Sequence, residues 1–472
     1  MKPVGRLLAV IVIVLGMQAC TPSLTPPTSD ALTPDAKQSI TLTPETPESV
    51  ETQEQTDIPS PRPIPANENI QPENLEYLGA FRLPDGNAES GWEYSGQGLT
   101  YFAGGDPNGA EDGFTGSLFG IGNDQKLQVS EISIPAPIIS RNLDDLNTAT
   151  TLQGFTDITG EMFNLEMMDL PIADLAYLPS IDGSGTGKLH FVFGQHFQEF
   201  NPSNGWHDLN LSSTEAAGPW IVNSYTNYVT SDYLFDIPEN WAEVIAPGQR
   251  LATGRFREGV WGGGGPALFA YNPGSEAAPP VAGTKLTEVT PLLLYGVQEP
   301  GMTEIISDET MWMNDYQLAD HWSGGAWLSA GDKGAVIFVG TKALGQSWYG
   351  FANGVTWAYD CADHTPPTCP EVPEWPYENR GYWAEDYQAQ IIFFNPADLA
   401  AVARGDIQTW EPQPYATLVL DDYLFNPEIN PGEYKRDLVG AVAFDREHGR
   451  LYVIERLADG YKSVIHVWAV NL

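Results

Sequence analysis

The sequence predicts an all-β fold, a five-bladed β-propeller carried on a disordered stalk, on three observations. From Tyr77 onward, short β-branched and aromatic runs alternate with Gly, Pro, Asn and Asp, and no long amphipathic helical pattern interrupts them. A pair of strands recurs five times along the chain. Finally, only three strands follow Val439, so residues 76–83 from the other end of the domain are needed to complete the last blade. Such a shared blade closes the ring and leaves no open sheet edge.

The N-terminus reads as an export signal. Lys2 and Arg6 precede the apolar run 7–15. That run is too short to cross a bilayer, which takes about 20 residues, and it suits the apolar centre of a signal peptide over residues 1–19. Residues 20–73 are dense in Thr, Pro, Ser and Glu and almost free of aromatics. They bury too little apolar surface to fold, so a stalk is expected over 20–73 and a propeller domain over 74–472.

The repeat is a first strand of small and apolar residues, a turn, and a second strand rich in Leu, Phe and Val. Its copies begin GLTYFAGG, ADLAYLPS, RLATGRF, GGAWLSAG and VGAVAFD, at 98, 173, 250, 324 and 439. These starts are 75, 77, 74 and 115 residues apart, and the excess in the last interval places an insertion at about 345–385. Each repeat is long enough to hide extra strands, so six or seven blades are the alternatives. Within the insertion, Cys361 and Cys369 are eight apart, and an extracytoplasmic setting makes a disulfide the expected state.

Composition excludes several classes of function. With 62 acidic and 22 basic side chains the formal charge is −40, which argues against a nucleic-acid surface. GSGTGKL at Gly183 lacks the first phosphate-loop Gly and has Leu189 after Lys188, so it reads as a hairpin turn. The run Gly262 to Gly265 precedes a strand and cannot be a dinucleotide-binding turn. The sequence assigns no cofactor with certainty, calcium being the possible one. Calcium is the metal to test, since an acidic extracellular chain offers oxygen ligands; the loop 104–116, with Asp106, Asn108, Glu111 and Asp112, lacks the EF-hand pattern.

In a propeller, the loops into first strands and those between second and third strands share one face. On that rule the mouth of the ring gathers Trp92, Glu93, Tyr94, Asp169, His196, Asp320, His321, Trp322, Lys342, Trp348, Tyr349, Trp383, Glu385 and Arg436. Flat amphipathic rings stack on sugar faces while carboxylates and Arg bind hydroxyls, so a glycan is the expected ligand. Glu93, Asp169 and Asp320 are the candidate catalytic carboxylates should the mouth hydrolyse a glycoside, which takes a pair about 5 or 6.5–9.5 Å apart. A protein–protein scaffold with the aromatic face as interface is the third reading.

Two resemblances add to this. The small residue before Cys20 resembles the lipobox of bacterial lipoproteins, with Met17 where Leu is common. Lipobox and blade repeat together resemble bacterial lipoproteins with a β-propeller domain. That resemblance implies lipidation of Cys20, a membrane partner through the lipid, and a place at the cell surface or another extracytoplasmic membrane face. In blade number and residue chemistry the domain is also similar to five-bladed glycoside hydrolases of the arabinanase and invertase-like groups, although none of their short motifs occurs.

Overall fold

In the computed structural model the described residues are 68–111, 113–180, 183, 185–255, 258–299, 301–358, 361, 369–428 and 436–471. The signal peptide, Cys20 and most of the stalk lie outside them. Five antiparallel sheets of four principal strands form the blades. Blade one is Leu99–Phe102, Ser117–Ile121, Val129–Ser133 and Thr151–Thr156, and blade two is Ile172–Leu178, Lys188–Gly194, Asn204–His207 and Ala216–Val222. Blade three is Tyr233–Asp236, Leu251–Gly254, Leu268–Tyr271 and Val289–Leu293. Blade four is His321–Ala330, Lys333–Phe351, Arg380–Phe394 and Ala416–Val419. Blade five takes Val439–Asp445, Arg450–Asp459 and Lys462–Val470 from the C-terminal end, and its outer strand is Leu75–Arg82.

The first strands pack on one another around the ring, and blade five meets blade one. This is the five-bladed propeller expected, with the last blade closed by the N-terminal strand. The small residues of the first strands have a steric cause. A Cβ on Gly440 would stand 2.1 Å from the carbonyl oxygen of Gly96, and one on Gly324 would stand 2.6 Å from that of Gly440. Backbones of three successive blades thus approach too closely for any side chain. On the other side of the ring, Asp174 ties blades together, accepting from the amides of Leu99 (3.2 Å), Leu175 (2.7 Å) and Leu234 (2.8 Å). The core is a series of apolar seams between blades, such as Phe81, Trp92, Leu118, Ile132, Tyr452 and Ile465 between blades one and five.

Two expectations need correcting. The third blade begins at Tyr233, and the run at Arg250 supplies its second strand. RLATGRF mimics a first strand because a Cβ on Gly254 would meet the carbonyl oxygen of Ala267 at 1.8 Å, a close contact within the blade. The folded body also reaches back before residue 74. Glu68–Asn69 pairs with Lys333 and Gly334, and Ile70 is fully buried.

Candidate functional site

The second and third strands of blade four outrun the blade. Their pairing continues from Ser347↔Ala384 to Phe351↔Arg380, making a two-stranded arm beyond an irregularity at Leu344 to Ser347. In the loop past the arm, Cys361 and Cys369 form the expected disulfide, with Cα atoms 5.1 Å apart. The arm lies on the blade-three loop that joins Leu251–Gly254 to Leu268–Tyr271. Gly381 is needed there: a Cβ would come within 2.8 Å of Arg436 Nη1 and 3.0 Å of Glu258 Oε1. Gly259, with φ +86°, faces the Tyr382 ring in the same contact.

Between the arm and the loops of blades two and three lies a cleft of two adjoining cavities. The inner one, of about 460 Å³, is lined by His196, Tyr228, Glu258, Trp261, Tyr349, Trp357, Arg380 and Tyr382, with Cys361 in its wall. The outer one, of about 680 Å³, adds Phe351, Pro370, Glu371, Val372 and Glu378, and shares His196, Tyr349, Trp357 and Arg380 with the first. Both volumes fall within the range of small-ligand sites.

Aromatic surface dominates the cleft. His196 stacks on Trp261 at 5.7 Å, and Tyr349 and Tyr382 pair at 5.0 Å. Arg380 stands 4.5 Å over the Trp357 ring. Trp261 is 55 % exposed and Tyr349 39 %, and exposed Phe197 adjoins His196. Large rings left open beside a concavity are unusual in a globular surface. Beneath, charges are neutralised. Glu258 pairs with Arg436 at 3.2 Å, and Arg436 covers Trp383 at 4.5 Å. Arg255 is buried against Tyr228 and donates to the Gln195 carbonyl. Burial, with the Glu258 carboxylate nearby, holds the Tyr382 phenol above its ordinary pKa, so it is a neutral hydrogen-bond donor.

Of the residues expected at the mouth, His196 and Tyr349 line the cleft and Arg436 and Trp383 support it from below. The others do not line these two cavities, although the Asp169 carbonyl accepts from the His196 amide at 2.8 Å. Trp92 and Trp322 are buried in seams between blades, where they pack rather than bind. Asp320 is fully buried and its carboxylate is saturated: Lys342 Nζ at 2.9 and 3.0 Å, Gln317 N at 3.0 Å and Ala343 N at 2.9 Å. That arrangement joins Asp320 and Lys342 in a structural ion pair, and neither lines the two cavities of the cleft. His321 is held by Asp437 at 2.7 Å. Trp348 leans on the core and donates to the Phe351 carbonyl, Tyr94 stacks on Tyr461, and Glu385 accepts from the Gln346 amide. Glu93 is exposed beside Lys462, and Asp169 sits against Gln195. Among the described residues, no hydrogen bond links any two of Glu93, Asp169 and Asp320.

Sequence reasoning missed Tyr228, Glu258, Trp261 and Trp357, whereas Arg380 and Tyr382 belong to the stretch 380–386 that the loop rule brings to this face. A signal existed for Tyr382: it lies directly opposite Tyr349 in the arm, and strand alternation turns Trp383 the other way. Asp106 of the proposed calcium loop accepts from the Asn108 amide, and Asp112 is outside the described residues. Among the described residues, no three His, Cys, Asp or Glu side chains gather to hold a metal ion.

Fold and cleft together define a five-bladed propeller with an aromatic upper-face site walled by an insertion. The sequence matches no protein-family model. No curated protein is significantly similar to it.

Proposed function

We propose that the protein is a lipid-anchored, extracytoplasmic capture module whose cleft binds a glycan. The observation that carries this reading is the pair of open rings, Trp261 and Tyr349, with Trp357, Glu258, Arg380 and Tyr382 in one concavity. Sugar rings present apolar faces that stack on such side chains, and their hydroxyls take up the polar groups. The export signal, Cys20 and the stalk supply the tether in this reading.

The test is a glycan array on the chain from Glu68, followed by titration of any hit. Trp261→Ala should weaken binding on the order of tenfold or more while leaving the unfolding midpoint within about 1 °C, because the ring is half open to solvent. An array blank for every glycan would overturn the reading. Product analysis of each hit separates capture from glycoside hydrolysis. Cleavage lost in Glu258→Gln or Glu378→Gln would make the cleft a hydrolase site, these carboxylates taking the place of Glu93, Asp169 and Asp320. Labelling with a radioactive fatty acid, present in the full chain and lost in Cys20→Ala, checks the anchor.

A further inference from the structure

The charges of the cleft select among sugars. Glu258 is neutralised by Arg436, and Arg380 is placed over Trp357, so a ring in this cleft already carries a cation on its face. The outer cavity adds two carboxylates, Glu371 and Glu378. Neither takes part in an ion pair among the described residues, and Glu378 Oε2 is shielded from solvent without a hydrogen-bond partner. A carboxylate oxygen withdrawn from water and left unsatisfied is costly, and a positively charged donor relieves that cost best. The chain as a whole has a formal charge of −40, so its field draws cations and repels acidic polymers.

Resting on the glycan reading, we propose that the outer cavity is an ammonium subsite: the captured glycan carries free amino groups, as in a polymer of 2-amino-2-deoxy sugars. One sugar ring stacks on the open face of Tyr349, beside the Arg380-capped Trp357. The ammonium of that ring or its neighbour donates to Glu378, with Glu371 adding attraction from the rim. Ring faces and carboxylates act together here, since an ammonium held near an aromatic face gains from both. A uronic acid polymer meets the same two carboxylates as repulsion, opposed by Arg380, which is engaged over Trp357.

The experiment is a three-way titration with oligosaccharides of equal length: a glucosamine oligomer with its amines protonated, its fully N-acetylated counterpart, and an oligogalacturonate. The proposal expects the amino oligomer to bind on the order of tenfold tighter than the acetylated one, and the uronate to bind weakest. Raising the salt from roughly 0.02 to 0.5 M should erase most of that preference, because screening shortens the reach of the charges. Glu378→Gln should bring the amino and acetylated oligomers to within about twofold of each other without weakening the acetylated one, a pattern that loss of structure would not produce. Glu371→Gln should give a smaller change in the same direction. Equal binding of amino and acetylated oligomers, or a preference for the uronate, would overturn the ammonium subsite and leave glycan capture standing. Failure of all three, with the array blank as well, would remove both.

Discussion

At the scale of single residues, the buried polar groups do more for the fold than for the site. The Asp320–Lys342 pair is the clearest case. Replacing Lys342 by Met strands a fully buried carboxylate and should cost about 3 kcal/mol in denaturant unfolding, with ligand affinity unchanged for the folded fraction. His190, on the second strand of blade two, is 2 % exposed, and neither ring nitrogen has a hydrogen-bond partner. Burial, helped by the charge of Lys188, pushes its pKa down to about 3. The native state therefore keeps this imidazole neutral, whereas the unfolded chain protonates it near its ordinary value of about 6.5. Between those two values the unfolded state binds the extra proton, so stability falls as the pH drops through that window. The contribution is at most about 1.4 kcal/mol per pH unit. Denaturation curves of the parent and of His190→Phe, taken from pH 7 to 4, should diverge accordingly. Parallel curves would mean that His190 finds a proton acceptor in the native state. None of this was visible from residue types: an Asp ahead of one strand and a Lys within the next look the same whether they face a ligand or each other.

Among elements, the arm of blade four matters most for function. It stands outside the four-stranded part of its blade, contributes Tyr349, Arg380 and Tyr382 with Trp357 from the loop past it, and is braced by Cys361–Cys369. Removing the disulfide with Cys361→Ser and Cys369→Ser together releases a short loop, a local loss of roughly 2–3 kcal/mol by the chain-entropy argument. Because the ring of blades does not depend on that loop, the expected outcome is several-fold weaker ligand binding by titration, with the main thermal transition nearly unmoved. A collapse of that transition would instead make the arm part of the core. The insertion was legible from the long fourth interval between repeats, and so was the cysteine pair. Which side of the arm faces the cleft was not, because that depends on a one-residue parity fixed by the irregularity at Leu344 to Ser347. Likewise Trp261 was concealed in a Gly run that reads as a turn.

Over the whole molecule, blade number and ring closure were readable because hydrophobic runs and the deficit of one C-terminal strand are properties of the chain itself. The near-equal spacing was partly coincidental. The first strands start at 99, 172, 233, 321 and 439, so the true intervals are 73, 61, 88 and 118. Loop length varies freely in a propeller, and only the strands are constrained by their neighbours. Closure makes a direct prediction. A chain starting at Glu68 should elute as a compact species and unfold cooperatively, whereas one starting at Pro84 lacks the outer strand of blade five. That shorter chain exposes the Lys462–Val470 edge and should aggregate or lose its cooperative transition, as seen by size exclusion and circular dichroism.

The seam that pairs Tyr77 with Trp468 also sets the order of events as the molecule assembles. Strands within blades one to four find partners a few tens of residues away, but residues 75–82 must wait for a partner nearly four hundred positions later. Contacts of such long sequence separation form slowly. Chain emerging in N-to-C direction would therefore present a finished stack of blades with an unmatched ribbon at its front until the final residues arrive. Time spent in that open, unlatched form is when the protein is most exposed to proteases and to mispairing with a second copy.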